Sequence, residues 1–176
     1  PSDVVEYPFV GITTGASWSA VARDYKKILD KRLADGPFAL PATLKGPPTM
    51  DTVHAIVAWL HAQIRYTGIE FGQASITPWP PAETVKRGFG DCKDKAILLV
   101  ALLRQAGFRA DLAILSTGPG QDVDRALPGL GEFDHAIVRA GLKQFIADQS
   151  DMQIAGEAAT GSECIALVRA SQFDVV

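Results

Sequence analysis

Two apolar periodicities succeed each other along the chain. Before Phe108 the apolar residues recur at helical spacing, and after it they alternate as in strands. Residues 1–16 read as irregular or extended. Ser17 is a natural N-cap, and Trp18, Val21, Ala22, Tyr25, Ile28, Leu29 and Leu33 follow as one stripe, with "KKILDKR" supplying the solvated face. "DGPFALPATLKGPPT" (35–49) is a Pro/Gly connector. A second helix is predicted from Asp51 to Ile64, with Val53, Ile56, Val57, Leu60 and Ile64 as its stripe. "RYTGIEFG" is a short extended piece. "TPWPP" (77–81) is non-helical, because each residue before a proline is pushed towards extended angles. "AETVKRG" then forms one or two turns ended by Gly88.

The stretch "RGFGDCKDKAILLVALL" (87–103) places a cysteine in front of a very apolar helix. Asp91 is a good N-cap, and Asp94 puts a second carboxylate in the first turn, where the helix dipole favours it. Ala96 to Leu103 is apolar nearly all round, and Gly107 is a natural stop. Such a helix belongs in the middle of a domain, with its charged first turn reaching the surface or a cleft. From Phe108 the strands "RADLAIL", "FDHAIVRA", "KQFIAD" and, late in the chain, "ECIALVRA" are predicted. Helices first and strands afterwards imply an α+β fold, with helices packed on an antiparallel sheet.

Composition narrows the function classes. The 176 residues fit one domain and can bury a core without disulfides or metal. Apolar residues make up 47% and charged residues 21%, as in an ordinary globular chain. A net charge of −3, without a basic stripe, argues against a nucleic-acid surface. No apolar run is long enough to span a membrane, and no signal peptide is visible. The start at Pro1 suggests a mature form or an excised domain. Cys92 and Cys164 could form one disulfide in an oxidising compartment. His54 and His61 share a helix face, but no third close ligand follows, so no metal site is expected.

Cys92 can be read as packed or as reactive. A helix N-terminus stabilises a thiolate, as does a nearby cation; Lys93 and Lys95 are close, while Asp91 and Asp94 oppose the effect if they face the sulfur. A nucleophilic cysteine also needs a base oriented by a third group. "FDHAIVRA-GL-KQFIAD" reads as two strands joined by Gly141-Leu142 in a type II′ turn. Ala140 then pairs with Lys143 and His135 with Asp148, their Cβ atoms about 4.5–5.5 Å apart on one face. A purely structural His–Asp pair would show the same pattern, and sequence alone does not bring Cys92 next to His135.

The segments "PAETVKRGFGDCKDKAILLVALLRQAGFRADLAIL", "FDHAIVRA" and "FIADQSD", with "IRYTGIE" upstream, resemble the transglutaminase-like superfamily of papain-like cysteine enzymes, in a bacterial branch. The resemblance is good over residues 50–150 and thin after about 152. It implies residues 1–48 as an N-terminal helix and connector, 49–150 as the catalytic core and 151–176 as a C-terminal strand region. These parts would make a single domain excised from a larger protein. It implies Cys92 as nucleophile, His135 as base and Asp148 as the residue orienting the imidazole. The branch commonly carries its aspartate in a "W-x-D-P-T"-like setting, and "FIADQSD" lacks that proline. Asp148 fits the hairpin register, whereas Asp151 does not. Tyr66 is the candidate second oxyanion donor beside the Cys92 backbone N–H. Trp79 and Asp91 are the candidate substrate-contacting residues.

The implied chemistry is acyl transfer or hydrolysis at an amide of a protein or peptide, through an acyl-enzyme that water or an amine resolves. No cofactor is expected, and no acidic loop suggests calcium. The long connection "TGPGQDVDRALPGLGE" (117–132) reads as a flap over the cleft. An arylamine acetyltransferase-like enzyme shares the Cys–His–Asp logic, but "GDCKDKA" fits it poorly. The alternative of a different class is a non-catalytic protein-binding module on the same fold. A Cys92–Cys164 disulfide would abolish nucleophilicity until reduced. A periplasmic or cell-envelope location is what the resemblance suggests.

Overall fold

The computed structural model describes residues 10–68, 71–117 and 123–141, together with residues 166, 169 and 170. The chain divides into two compact units, Pro1–Ala140 and Gly141–Val176.

In the first unit, helix α1 spans Trp18–Asp35, and the Ser17 hydroxyl caps it by accepting the Ala20 N–H at 3.1 Å. The Pro/Gly connector holds one short 3-10 turn, Ala42–Leu44. Helix α2 spans Met50–Gln63, one residue earlier than predicted at each end, and buries Thr52, Ile56 and Leu60. Strand β1 (Arg65–Tyr66) pairs in parallel with β2 (Phe89–Gly90), a contact the hydrophobic pattern did not announce. Helix α3 covers Pro81–Arg87 and ends at Gly88, whose φ of 68° is left-handed. Pro81, placed in the non-helical "TPWPP" by the sequence reading, is instead the first helical residue. Its missing N–H costs nothing there, because the first turn has no carbonyl to receive it.

Helix α4, Cys92–Gln105, is the centre of the unit. Ile97, Leu98, Val100, Leu102 and Leu103 are all at most 2% exposed. Its C-terminus closes in a Schellman arrangement: Phe108 N–H donates to Leu103 O at 3.0 Å and Gly107 N–H to Arg104 O at 3.1 Å, with Gly107 at φ 92°. Strand β3 (Ala110–Leu115) and strand β4 (His135–Ala140) run antiparallel, with Leu115 opposite His135. Both strands pack on α4. The fold is therefore α+β, with helices against a small antiparallel sheet, as the order of periodicities predicted.

The second unit corrects one expectation. "ECIALVRA" (163–170) was read as a strand, but Ala166, Arg169 and Ala170 are helical. A short apolar run does not distinguish a strand from a buried helix by periodicity alone. The predicted strand "KQFIAD", the turn at Gly141-Leu142, Asp148 and Cys164 rest wholly or partly on positions outside the described residues.

Candidate active site

The first turn of α4 is built by a reciprocal cap. Asp91 Oδ1 accepts the N–H groups of Lys93 (3.1 Å) and Asp94 (3.2 Å), while Asp94 Oδ2 accepts the Asp91 N–H at 3.3 Å. Cys92 is thereby the first residue of the helix, half-buried, at the end where the dipole is positive.

The structure decides where the charges around it point, which the sequence left open. Lys93 does not point outward: it is 5% exposed, and its Nζ lies 2.5 Å from Asp91 Oδ2. The Asp91 charge is thus matched by a buried cation, and its opposition to a thiolate is reduced. Asp91, 2% exposed and committed to this cap and ion pair, serves the helix start and lies outside the cleft lining. Lys95 turns the other way and donates to Ile64 O at 2.9 Å; partial burial lowers its pKa. Asp94 Oδ1 accepts the Trp79 N–H at 2.8 Å, tying the "TPWPP" loop to the helix start. Burial raises the Asp94 carboxyl above the usual range.

His135 opens β4. The preceding Asp134 fixes it at both levels: Asp134 N–H donates to Leu115 O at 3.2 Å, and its carboxylate accepts the Thr117 N–H (2.9 Å) and hydroxyl (2.8 Å). The Thr117 hydroxyl, then its N–H, hold the Asp134 carboxyl below its ordinary value.

Packing of β4 on α4 brings the two predicted reactive residues together. Cys92 and His135 line one cleft of about 70 Å³, with Tyr25, Ile76, Leu130 and Phe133 around them. Tyr25 was legible only as part of an apolar stripe. Its hydroxyl donates to Ile76 O at 3.2 Å, and its pKa is pushed up to about 12, by burial first and then by the negative charges of Cys92 and Asp91. Leu130 brings the connection read as a flap to this cleft, and Phe133, the residue after it, lines the cleft as well. Its described part is held by the N-terminal segment: Trp18 Nε1–H donates to Arg125 O at 3.2 Å, the Thr13 hydroxyl to Pro128 O, and Trp18 packs edge-on to Phe133.

Tyr66 and Trp79 stand apart from the cleft lining. Tyr66 is 58% exposed on β1, opposite Gly90, two positions before Cys92. Trp79 is 45% exposed, and its ring faces the Arg87 guanidinium, which also lies over Phe89. Asp148 and Cys164 lie outside the described residues. His54 and His61 are exposed on α2, and no group of three metal-binding side chains occurs among the described residues. No helix among them is long and apolar enough to cross a membrane.

Comparison with known proteins bears on the fold and the family. A crystal structure of a protein from Parabacteroides distasonis, named only provisionally as a protease, superposes with a TM-score of 0.55 at 20% identity. The match covers 72% of this chain and 25% of that one, and it supports the fold. A 43-residue segment, 24% of the chain, is 44% identical to the uncharacterized transcriptional regulatory protein YhcZ of Bacillus subtilis (strain 168). That segment spans 20% of the regulator, so the chain covers only a small part of either relative. The family model of the transglutaminase-like superfamily matches residues 38–145, more than half of the chain and including both Cys92 and His135. The chain belongs to the transglutaminase-like superfamily.

Proposed function

We propose that the chain is a cysteine-dependent enzyme that transfers or hydrolyses an acyl group at an amide of a protein or peptide. One observation carries this reading: Cys92, at the positive end of α4, and His135, at the start of β4, line the same cleft. His135 takes the thiol proton, and the Cys92 sulfur attacks the amide carbon. The Cys92 backbone N–H stabilises the oxyanion, and the second-donor role read for Tyr66, which lies outside the cleft lining, rests on a Tyr66→Phe variant lowering turnover. His135 then protonates the leaving amine, and the Cys92 thioester passes its acyl group to water or to a second amine. The orienting role read for Asp148 from the sequence falls outside the described residues and just past the end of the family match, and rests on its own test.

The test is the pH dependence of Cys92 alkylation by limiting iodoacetamide, read by mass spectrometry. An activated thiol has a pKa of about 3.5–7.5, against about 8.5 for an ordinary one. The expected midpoint lies below pH 7 and rises towards the ordinary value in His135→Ala. Asp148→Asn is expected to lower amide turnover while leaving the thiol reactive. An ordinary midpoint, indifferent to His135→Ala, would leave a protein-binding module as the better reading.

A further inference from the structure

A second, larger cavity of about 450 Å³ lies between α1, α4 and β3. The space opens to solvent, since Ala22, Lys26, Asp30 and Asp111 on its walls are exposed. It falls within the range of small-molecule pockets, roughly 300–1,000 Å³. Its walls are apolar, with Val21 and Leu29 from α1, Val100 from α4 and Leu112 from β3. Four charged side chains reach it, and they are matched in pairs: Lys26 with Asp30 at 2.7 Å and Arg104 with Asp111 at 2.6 Å. The cavity therefore offers no unmatched charge to a ligand. Tyr25, Ile114, Leu130 and Phe133 line both this cavity and the Cys92–His135 cleft, so the two spaces adjoin.

Resting on the acyl-transfer reading, we propose that this cavity is the specificity pocket of the site and takes a large uncharged apolar side chain, aromatic or branched, next to the scissile amide. An acidic or basic side chain would lose its hydration there and find only charges already paired. A glycine-like substrate would leave the volume empty.

Protection of Cys92 from iodoacetamide reads occupancy of the pocket, and it does so whether or not the thiol is activated, because an ordinary thiol labels readily above a pH of about 8.5. In the full chain, N-acetylphenylalaninamide is expected to halve the labelling rate at a concentration about tenfold or more below that of N-acetylglycinamide, since a single methylene in an apolar pocket is already worth roughly tenfold or more. Ala22→Phe fills the cavity from an exposed position on α1 and is expected to abolish the difference. Ala113→Leu fills it from β3 and repeats the test if the first variant fails to fold. Equal protection by the two amides, protection by neither, or a preference that survives the filling overturns the pocket. The acyl-transfer reading fails separately, through the pH midpoint of labelling without ligand.

Discussion

At the residue scale, Tyr25 links stability to the candidate site. Its phenol is buried, bonded to Ile76 O, and raised to a pKa of about 12. The unfolded chain ionises this group near 10, so between about 10 and 12 the folded state holds the proton that the unfolded state has lost. The stability it contributes is complete below about 10 and disappears as the pH rises through about 12. Urea midpoints of wild type and Tyr25→Phe, measured from pH 8 to 11.5, should diverge in slope: wild type loses stability over the upper part of that range, relative to the phenylalanine variant. Parallel curves would show that the phenol does not carry the linkage. Lys93 is the residue whose orientation the sequence left most open. A lysine is almost never buried unless paired, and its partner, Asp91, was already spoken for as the helix cap. That one carboxylate serves both purposes, through different oxygens, is a fact of side-chain packing that no local pattern encodes.

At the element scale, the start of α4 depends on the close approach of β2. A Cβ on Gly90 would lie 2.7 Å from Asp94 Cβ and 3.1 Å from Asp94 Oδ2. Asp94 cannot retreat without losing the Trp79 N–H and its half of the capping box. Gly90→Ala is therefore expected to cost about 1–3 kcal/mol, the usual range for overpacking, and to change the accessibility of Cys92. Chemical denaturation gives the first effect and the alkylation rate the second. An unchanged midpoint would mean that the loop and cap adjust without strain. The caps themselves were legible: Ser17, Asp91, Gly88 and Gly107 all act where the sequence places them, because capping involves groups within a few residues of one another. The β1–β2 pair was not legible. Two residues are too few to show a period, and the strands are separated by a 3-10 turn and α3.

At the scale of the whole molecule, α4 holds the unit together, since α2, α3 and both strands of the antiparallel pair pack against it. Leu98 is fully buried in that helix. Leu98→Ala is expected to destabilise the protein by about 2–5 kcal/mol, the range for emptying a packed leucine site. Circular dichroism at 222 nm and tryptophan fluorescence should report the same shifted transition within the first unit. A loss below about 1 kcal/mol would show that neighbouring side chains collapse into the space. The cavity beside α1 gives the contrast: there the apolar walls do not meet, and the space adjoins the cleft lined by Cys92 and His135.

The sequence by itself determined the helices of the first unit, their caps, the order of helix and strand within it, and the choice of Cys92 and His135 as candidate residues. These follow from interactions between near neighbours and from side-chain type. Only the tertiary structure decided that α4 and β4 bring those two residues to one cleft, that Lys93 turns inward, and that Tyr25 joins them. Each of these depends on contacts between residues far apart in the chain or on competition for buried space. Local pattern holds no information about either until the elements have packed.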